Sequence, residues 1–242
     1  MGYCSRSEAS ALVRAGRVML NGRVVRDPET PTRVGLDRIA VDCSAVEEQE
    51  KIYLVMNKPR GAVTSASDEK GRATVYDLLQ PIGVWVGPVG RLDKASEGLL
   101  LFTNDSEWAA KITDPASHLD KCYHVQVDRV AGADLIAQLL GGVRAGGEHQ
   151  SAKAVRILRT GEKNSWLEIT LDEGKNRQIR RLLNAVSVEV LRLVRVSVGP
   201  LALGELKKGA TRHLTREEKL SLDRALMAPG KNASKKTTGA CR

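Results

Sequence analysis

Aromatic residues are scarce in this sequence: one Phe, three Trp and four Tyr make up 3% of its 242 residues. So few rings argue against a surface that stacks many bases of a single strand. The four cysteines are scattered, with no C-x-x-C pair, and the four histidines are equally dispersed. We therefore expect no metal site, and free thiols in a reducing cytoplasm.

Long apolar runs are missing as well. No stretch approaches the roughly 20 residues that a membrane span requires, and no signal peptide is visible, so we expect no membrane partner. The sequence also lacks a Walker loop, a dinucleotide-type G-x-G-x-x-G, an H-E-x-x-H pair and a G-x-S-x-G elbow. We therefore expect chemistry that needs no cofactor.

Acidic side chains are outnumbered, with 29 Asp and Glu against 38 Lys and Arg and a net charge of +9. This balance suggests a polyanionic partner, although a basic surface that only keeps the protein soluble explains the charge equally well. The hydrophobic content of 42% is ordinary for a soluble globular protein. The length suits one large domain and a smaller one.

The first 45 residues look like a unit of their own. Ser5 and Glu8 form a capping box that opens a short helix, and Asn21-Gly22 joins two apolar runs in a typical hairpin signal. The basic residues on this helix and hairpin include Arg14, Arg17 and Arg23. Taken alone, they fit a solvated basic face as well as a binding surface.

The remaining chain divides by composition. A charged stretch, residues 46–51, is predicted to be a linker, and residues 229–242 form a basic tail that we expect to be disordered. Between them, residues 52–228 mix strands and helices without strict alternation, which predicts an α+β fold with a mixed, mostly antiparallel sheet and flanking helices. The predicted strands are Ile52–Met56, Ala62–Ser65, Leu99–Thr103, Tyr123–Val127, Ala154–Leu158, Trp166–Leu171 and Val190–Val198, and the predicted helices are Val75–Leu79, Ser106–Ile112, Ala133–Leu140 and Lys175–Val186.

The stretch GRLDKASEGLLLFTND, residues 90–105, places charged side chains at the start of a buried strand. Asp93 lies in the loop that enters this strand, close to Arg91. An ionised aspartate in a cleft is a good nucleophile or base, and a structural Arg–Asp pair that fixes the loop is the alternative.

The segment DEGKNRQIRRLLNAV, residues 172–186, has the apolar spacing of a helix that faces the core. At about 100° per residue, Arg177 and Arg181 point away from the apolar stripe, whereas Arg180 lies near its edge. We therefore expect Arg180 to reach inward to a carboxylate and its neighbours to reach outward to phosphates. An ordinary amphipathic helix with a basic side is the alternative.

With these motifs in view, GRLDKASEGLLLFTND resembles the signature of the ribosomal RNA pseudouridine synthases, in the branch that contains the RsuA, RluB and RluE enzymes. Residues 1–45 resemble the small RNA-binding S4 domain that these enzymes carry. That domain begins with a further helix, which would precede Gly2, so we expect its first helix to be missing here. The other motifs that fit the family, in order, are YLVMNKPRG (53–61), KCYHVQV (121–127), LDEGKNRQIRRLLNAV (171–186) and VLRLVRVSVGPLALGELKKGATRHLT (190–215).

Carried over by position, the resemblance implies a catalytic core with a central cleft and a role for each matching residue. Asp93 is the essential aspartate, Tyr123 stacks on the target base and takes its proton at the end, and Arg180 pairs with the aspartate. Arg91 fills the gap left by the flipped nucleotide, and Leu191 is an apolar wall of the uracil pocket. Further candidates for binding RNA are Lys58, Lys175, Arg177 and Arg181 near the cleft, and Arg14, Arg17 and Arg23 in the N-terminal unit.

The reaction that the resemblance implies is isomerisation of a uridine in ribosomal RNA, in the 23S RNA, by a monomer that acts on the RNA or a pre-ribosomal particle. The uridine flips into a closed pocket, and Asp93 either attacks the anomeric carbon or removes the neighbouring ribose proton. A non-catalytic RNA-binding or ribosome-assembly factor would also explain the charge, but it leaves Asp93, Tyr123 and Arg180 together unexplained. Action on another RNA is a further alternative.

Overall fold

The computed structural model describes residues 2–33, 35–66, 68, 71–145 and 147–227. The predicted basic tail, residues 229–242, lies outside these residues.

The described residues of the N-terminal unit form one helix and a small sheet. Helix α1, Arg6–Arg14, begins where the sequence predicts, since the Ser5 hydroxyl accepts a hydrogen bond from the Glu8 amide at 3.2 Å. Asn21 and Gly22 both have positive φ, of 52° and 80°, as the predicted two-residue hairpin requires. The four strands are β1 (Val18–Leu20), β2 (Arg23–Val25), β3 (Ile39–Val41) and β4 (Ser44–Ala45), in the spatial order β2-β1-β3-β4.

The larger unit is built on a nine-stranded sheet. The spatial order is β11-β12-β8-β13-β7-β5-β15, with β6 beside β7 and β14 beside β13. Of its strand pairs, only β7 and β13 run parallel in the described part of the chain, so the predicted mixed, mostly antiparallel α+β fold is confirmed. The strands after β4 are β5 (Tyr53–Lys58), β6 (Gly87–Val89), β7 (Glu97–Thr103), β8 (Lys121–Val127), β9 (Val143–Ala145), β10 (Glu148–Gln150), β11 (Ala154–Thr160), β12 (Ser165–Leu171), β13 (Val190–Val198), β14 (Leu201–Ala202) and β15 (Thr211–His213). Strands β9 and β10 form a separate two-stranded sheet.

Helices divide the apolar core into separate clusters on the sheet. Helices α3 and α4 cover one face of β8 and β12, where Leu139 and Leu182 pack against Leu167. The strands β5 and β7 are covered on both faces, because alternate residues of β7 enter two different clusters. The helices after α1 are α2 (Ser106–Thr113), α3 (Ala133–Gly141), α4 (Gln178–Ala185) and α5 (Arg216–Met227).

Two predicted elements are wrong. Residues Ala62–Ser65 form no strand and contribute a single bridge, from Val63 to Thr74, because the Thr64 hydroxyl is bonded to the backbone of Leu92. The predicted helix Val75–Leu79 is reduced to a 3-10 turn over Tyr76–Leu78. Its last residue, Leu79, is already extended (ψ 129°), two residues before a proline.

The predicted helix Lys175–Val186 starts three residues later, at Gln178. Arg177 caps it in the left-handed region, with φ 48° and ψ 31°, so the residues before Gln178 cannot continue the helix. This difference changes the direction of the arginines, as described below.

Candidate active site

A cavity of about 400 Å³ opens between the loop before β7, the inner face of β8 and the start of α4. Its size is in the range of small-ligand sites. Predicted site residues from three separate parts of the chain line it together, namely Arg91, Asp93, Tyr123, Lys175 and Arg177.

The backbone of the loop that carries Asp93 is held in place by a buried lysine. Lys58, at the end of β5, is fully buried, and its Nζ donates to the carbonyl oxygens of Asp93 (3.1 Å), Ser96 (2.9 Å) and Pro59 (3.2 Å). Burial lowers the pKa of Lys58 to about 8, although Asp93 and a second nearby carboxylate favour its charged form. Lys58 was predicted to bind RNA, and this is corrected: its ammonium is enclosed and binds three backbone carbonyls, two of them in the Asp93 loop.

The Asp93 carboxylate pairs with Arg177, not with Arg180 as predicted. The Arg177 Nη1 donates to the Asp93 Oδ2 at 3.2 Å, and both side chains keep some exposure, 51% and 30%. Because Arg177 precedes the helix in a left-handed conformation, its side chain turns towards the cavity instead of away from the apolar stripe.

Arg180 does reach inward, but it binds backbone. Its guanidinium donates to the carbonyl oxygens of Ala95 and Val190, both at 3.3 Å, so it joins the Asp93 loop to the start of β13. Burial and the neighbouring Arg177 lower the pKa of Arg180, while Asp93 acts in the opposite sense. Arg180 therefore acts on Asp93 through its field and through the loop.

A second, more open cavity of about 690 Å³ adjoins the first and shares Arg177 with it. Arg180 and Arg181 line it, and the Nε atom of each has no hydrogen-bond partner among the residues that the structure describes. Asp128 and Glu189 also line this groove, so its charge is mixed.

Tyr123 and Leu193 form an apolar wall of the first cavity. Tyr123 lies on the inner face of β8 and is 9% exposed, and Leu193 lies on the neighbouring β13. The predicted wall residue, Leu191, is 38% exposed and does not line the cavity. The pairing of β13 with β8 shifts register between Val190 and Arg192, so Leu191 does not occupy a regular inward position.

Gly98 permits the close approach of β13 to the Asp93 loop. It has φ +102°, and a Cβ there would lie 2.2 Å from the carbonyl oxygen of Arg195. Glu97 beside it is buried and pairs with Arg192 (Nε–Oε1 2.7 Å) and Lys208 (Nζ–Oε2 2.7 Å). Burial opposes the charge of Glu97, but these two cations keep its pKa below the ordinary value. Glu97 thus shapes the loop and does not face the cavity.

The remaining predicted cations lie at the surface. Lys175 lines the cavity at 42% exposure and pairs with Glu173 (3.3 Å) and Glu148 (3.4 Å). In the N-terminal unit Arg17 pairs with Asp42, and Arg14 and Arg23 are exposed. None of these three arginines lines the cavity.

Two buried cations in the cavity wall, Lys121 and Arg195, had no role in the sequence prediction. The Nε of Arg195 donates to the carbonyl oxygen of Leu99 at 2.8 Å, which ties β13 to β7. A signal for Lys121 was available, because it lies two residues before Tyr123 and hence on the same face of β8.

Within the described ranges, no group of His, Cys, Asp and Glu residues could hold a metal ion. No helix in that part of the chain is both long and apolar enough to cross a membrane.

Comparison with known proteins agrees with the geometry. Residues 52–185 match the family model described as RNA pseudouridylate synthase, and residues 1–37 match that of the S4 domain. The chain is 38% identical over 234 residues to ribosomal large subunit pseudouridine synthase B of Bacillus subtilis (strain 168), covering 96% of this chain and 95% of that protein. It is 36% identical to an uncharacterized RNA pseudouridine synthase of Aquifex aeolicus (strain VF5), with 93% and 91% covered. A crystal structure of a pseudouridylate synthase superposes with a TM-score of 0.65 at 29% identity, covering 90% of this chain and 94% of that one.

Proposed function

We propose that this chain, which belongs to the RNA pseudouridylate synthase family, isomerises a uridine of large-subunit (23S) ribosomal RNA, with Asp93 as the residue that starts the reaction. Members of this family are isomerases that convert uridine in RNA to pseudouridine, so the reaction itself follows from membership. The choice of large-subunit RNA rests on the Bacillus subtilis relative, whose name specifies that substrate. We place the reaction in the cytoplasm, where bacterial ribosomal RNA is made, and expect a monomer.

The observation that carries this proposal is the position of Asp93. Its carboxylate lines the cavity, is paired with Arg177, and stands on a loop whose carbonyls are fixed by Lys58. A positioned carboxylate of this kind, paired with a guanidinium, suits attack on the anomeric carbon or removal of the adjacent ribose proton.

The reaction requires a uridine to leave its stack and enter the cavity. The bond from C1′ to N1 breaks, the uracil turns, and a bond forms from the same C1′ to C5. The proton on C5 then leaves, with Tyr123 as the candidate that takes it, and N1 gains a proton, so that no atom is gained or lost overall. Leu193 replaces Leu191 as the apolar wall, and enclosure by both residues keeps water from the intermediate.

The cations divide into two groups. Arg177 pairs with the aspartate, Arg180 positions its loop, and Arg91 is the candidate that fills the space of the flipped nucleotide. The surface cations attract the RNA backbone, a term that weakens steeply with salt. These are Lys175 and Arg181 near the cavity and Arg14, Arg17 and Arg23 in the N-terminal unit.

The proposal is tested by mapping pseudouridines in ribosomal RNA from cells that lack the gene. One position in large-subunit RNA should lose its modification, and wild-type protein should restore it. Asp93→Asn should not restore it, although its RNA affinity should be kept because the surface cations are unchanged. A ribosomal RNA with no changed position would refute the substrate, and restoration by Asp93→Asn would refute the role of the aspartate and favour the assembly-factor alternative.

The roles of Arg177 and Arg180 can be distinguished with purified enzyme variants. Arg177→Gln removes the direct partner of Asp93, and Arg180→Gln removes bonds to two carbonyls. We expect both to lower turnover, by about 100-fold, a loss typical of removing one charged donor at a reacting group. Only Arg180→Gln should also lower the melting temperature, since its bonds join two parts of the chain.

A further inference from the structure

The wall of the cavity contains a lysine that the reaction scheme above does not use. Lys121 lies on the inner face of β8, two residues from Tyr123, and is only 8% exposed. Its partners across the sheet are Leu171 on β12 and Val198 on β13. Both of these residues line the cavity, so Lys121 stands in the middle of the wall and not at its margin.

The ammonium of Lys121 lacks a partner within the described ranges of the chain. Its Nζ makes no hydrogen bond there, and no carboxylate oxygen lies within 4.0 Å. The adjacent Asp120 is bound instead to Lys153, at 2.7 Å. Burial lowers the pKa of Lys121 and Arg195 lowers it further, while Asp120 and Asp172 favour the charged form only from a distance.

A cation on a largely buried side chain, with no bonded carboxylate and only the cavity before it, costs folding free energy. Arg195, the second buried cation in this wall, adds repulsion to that cost. The burial of the Lys58 ammonium is compensated by hydrogen bonds to three carbonyls, and Lys121 makes no such bonds in the described part of the chain. A negatively charged or carbonyl group of a ligand in the cavity would supply it.

The burial of Lys121 indicates which part of the substrate it meets. The phosphates of a flipped nucleotide continue into the rest of the RNA, so they stay at the rim, where Lys175 and Arg177 are 42% and 51% exposed. The base is the part that becomes enclosed. It presents two carbonyl oxygens, O2 and O4, to the cavity wall.

We propose that Lys121 is a further catalytic residue, whose ammonium donates a hydrogen bond to O2 or O4 of the flipped uracil. When the bond from C1′ to N1 breaks, its electron pair stays with the base, and the negative charge spreads over N1 and the two carbonyl oxygens. Lys121 stabilises this charge and keeps its own proton. The charge is neutralised when C5 bonds to C1′, and the proton that C5 then loses is matched by a proton gained at N1. The inference rests on the proposed function of the Asp93 cavity.

The first test compares Lys121→Met with a matched control, Lys153→Met. Lys153 is 47% exposed and pairs with Asp120 next to Lys121, but it lies outside the cavity. On a short RNA that carries the mapped uridine, Lys121→Met should lower the single-turnover rate about 100-fold with little change in KM, as the loss of one donor to a developing charge does. Lys153→Met should match wild type.

The melting temperature distinguishes catalysis from structure. Removing an unpaired buried charge should leave the melting temperature of Lys121→Met equal to or above that of wild type. A large drop would assign Lys121 a structural role and overturn the proposal. If Lys121→Met does not fold, Lys121→Arg and Lys121→Gln carry the same comparison, and only the arginine should retain a substantial part of the rate.

The decisive test pairs the enzyme variants with altered bases. RNAs with 2-thiouridine or 4-thiouridine at the target replace one carbonyl oxygen by sulfur, a weaker acceptor. Wild type should lose about tenfold in rate with one of the two, equivalent to one hydrogen bond, and Lys121→Met should lose nothing further with it.

Equal losses by wild type and Lys121→Met with both thio bases would overturn the proposal. An effect of Lys121→Met on KM and on the salt dependence alone would also overturn it and indicate a phosphate contact. A failure of the proposed function is distinct, because wild type itself would then form no pseudouridine in the RNA.

Discussion

The buried Lys58 makes a prediction that stability and activity can test together. In Lys58→Met the side chain keeps a similar length, but the carbonyls of Asp93, Ser96 and Pro59 lose their donor. Each buried acceptor left without a partner costs about 1–3 kcal/mol, which is offset by the cost of burying the charge. The fall of the pKa from 10.5 to about 8 sets that cost at ~3 kcal/mol, since a tenfold change in the protonation equilibrium is worth about 1.4 kcal/mol.

Three such acceptors cost about 3–9 kcal/mol and removal of the buried charge returns ~3 kcal/mol, so at pH 7 we expect Lys58→Met to lose up to roughly 6 kcal/mol of unfolding free energy, measured by urea denaturation. Turnover of the folded variant should also fall, by about 100-fold, because the loop that carries Asp93 is no longer fixed. The matched control is Lys94→Met, at an exposed position in the same loop. It should unfold and turn over like wild type.

The contribution of Lys58 to the unfolding free energy depends on pH in a direction that its lowered pKa determines. Between pH 8 and pH 10.5 the unfolded chain still holds the Lys58 proton, whereas the folded chain has released it. Stability from this group therefore rises with pH. The unfolding free energy of wild type should gain about 2 kcal/mol on Lys58→Met between pH 7 and pH 9.5. Parallel pH curves for the two proteins would refute the assignment of a buried, charged Lys58.

The structure also predicts the effects of three other substitutions on stability. Gly98→Ala should destabilise by about 3 kcal/mol in urea denaturation, because its Cβ would clash with the Arg195 carbonyl at φ +102°; a change under 0.5 kcal/mol would contradict the close approach. Glu97→Gln should cost about 3 kcal/mol at pH 7, because Arg192 loses a buried ionic partner. The folded pKa of Glu97 lies below the ordinary value, so the difference should shrink as pH falls through that folded pKa, and a constant difference down to acid pH would refute the pairing. Thr215→Ala should cost about 1 kcal/mol by thermal denaturation, because the Thr215 hydroxyl accepts from an amide at the start of α5 at 3.2 Å, whereas no loss would show that this end is frayed.

Prediction from the sequence succeeded where apolar pattern alone decides the structure. The strand Val190–Val198 has the predicted bounds, and α2 and α3 each differ by one residue at their end. The helix α5 was missed because its surface is mostly charged and only Leu222 is buried. Its capping box was nevertheless visible in the sequence, as Thr215 followed three residues later by Glu218.

The site shows a different limit. Asp93 and Tyr123 line one cavity, as the family resemblance implies, but the partner of the aspartate was assigned to the wrong arginine. Helical periodicity predicted that the Arg177 side chain points outward. A left-handed backbone conformation cannot be predicted from the residue type when the residue is an arginine. The burial of Lys58 was not predicted for a similar reason. A buried charge needs hydrogen-bond partners, and the carbonyls that bind Lys58 come together only in the folded chain.

The two-residue ladder between β7 and β13 has a consequence for the geometry of the whole enzyme. In the described part of the chain, the backbone ladder consists of the pairs Val194–Glu97 and Arg195–Gly98, and the Arg195 side chain extends the contact to the carbonyl of Leu99. An apolar cluster also crosses this junction, because Val198 of β13 belongs to the same cluster as Leu99 of β7. Asp93 precedes β7, and Tyr123 lies on β8 beside β13, so the separation of these two side chains is set through this short junction. We therefore expect a substitution that loosens the junction to change the catalytic distance even where the substituted residue does not line the cavity.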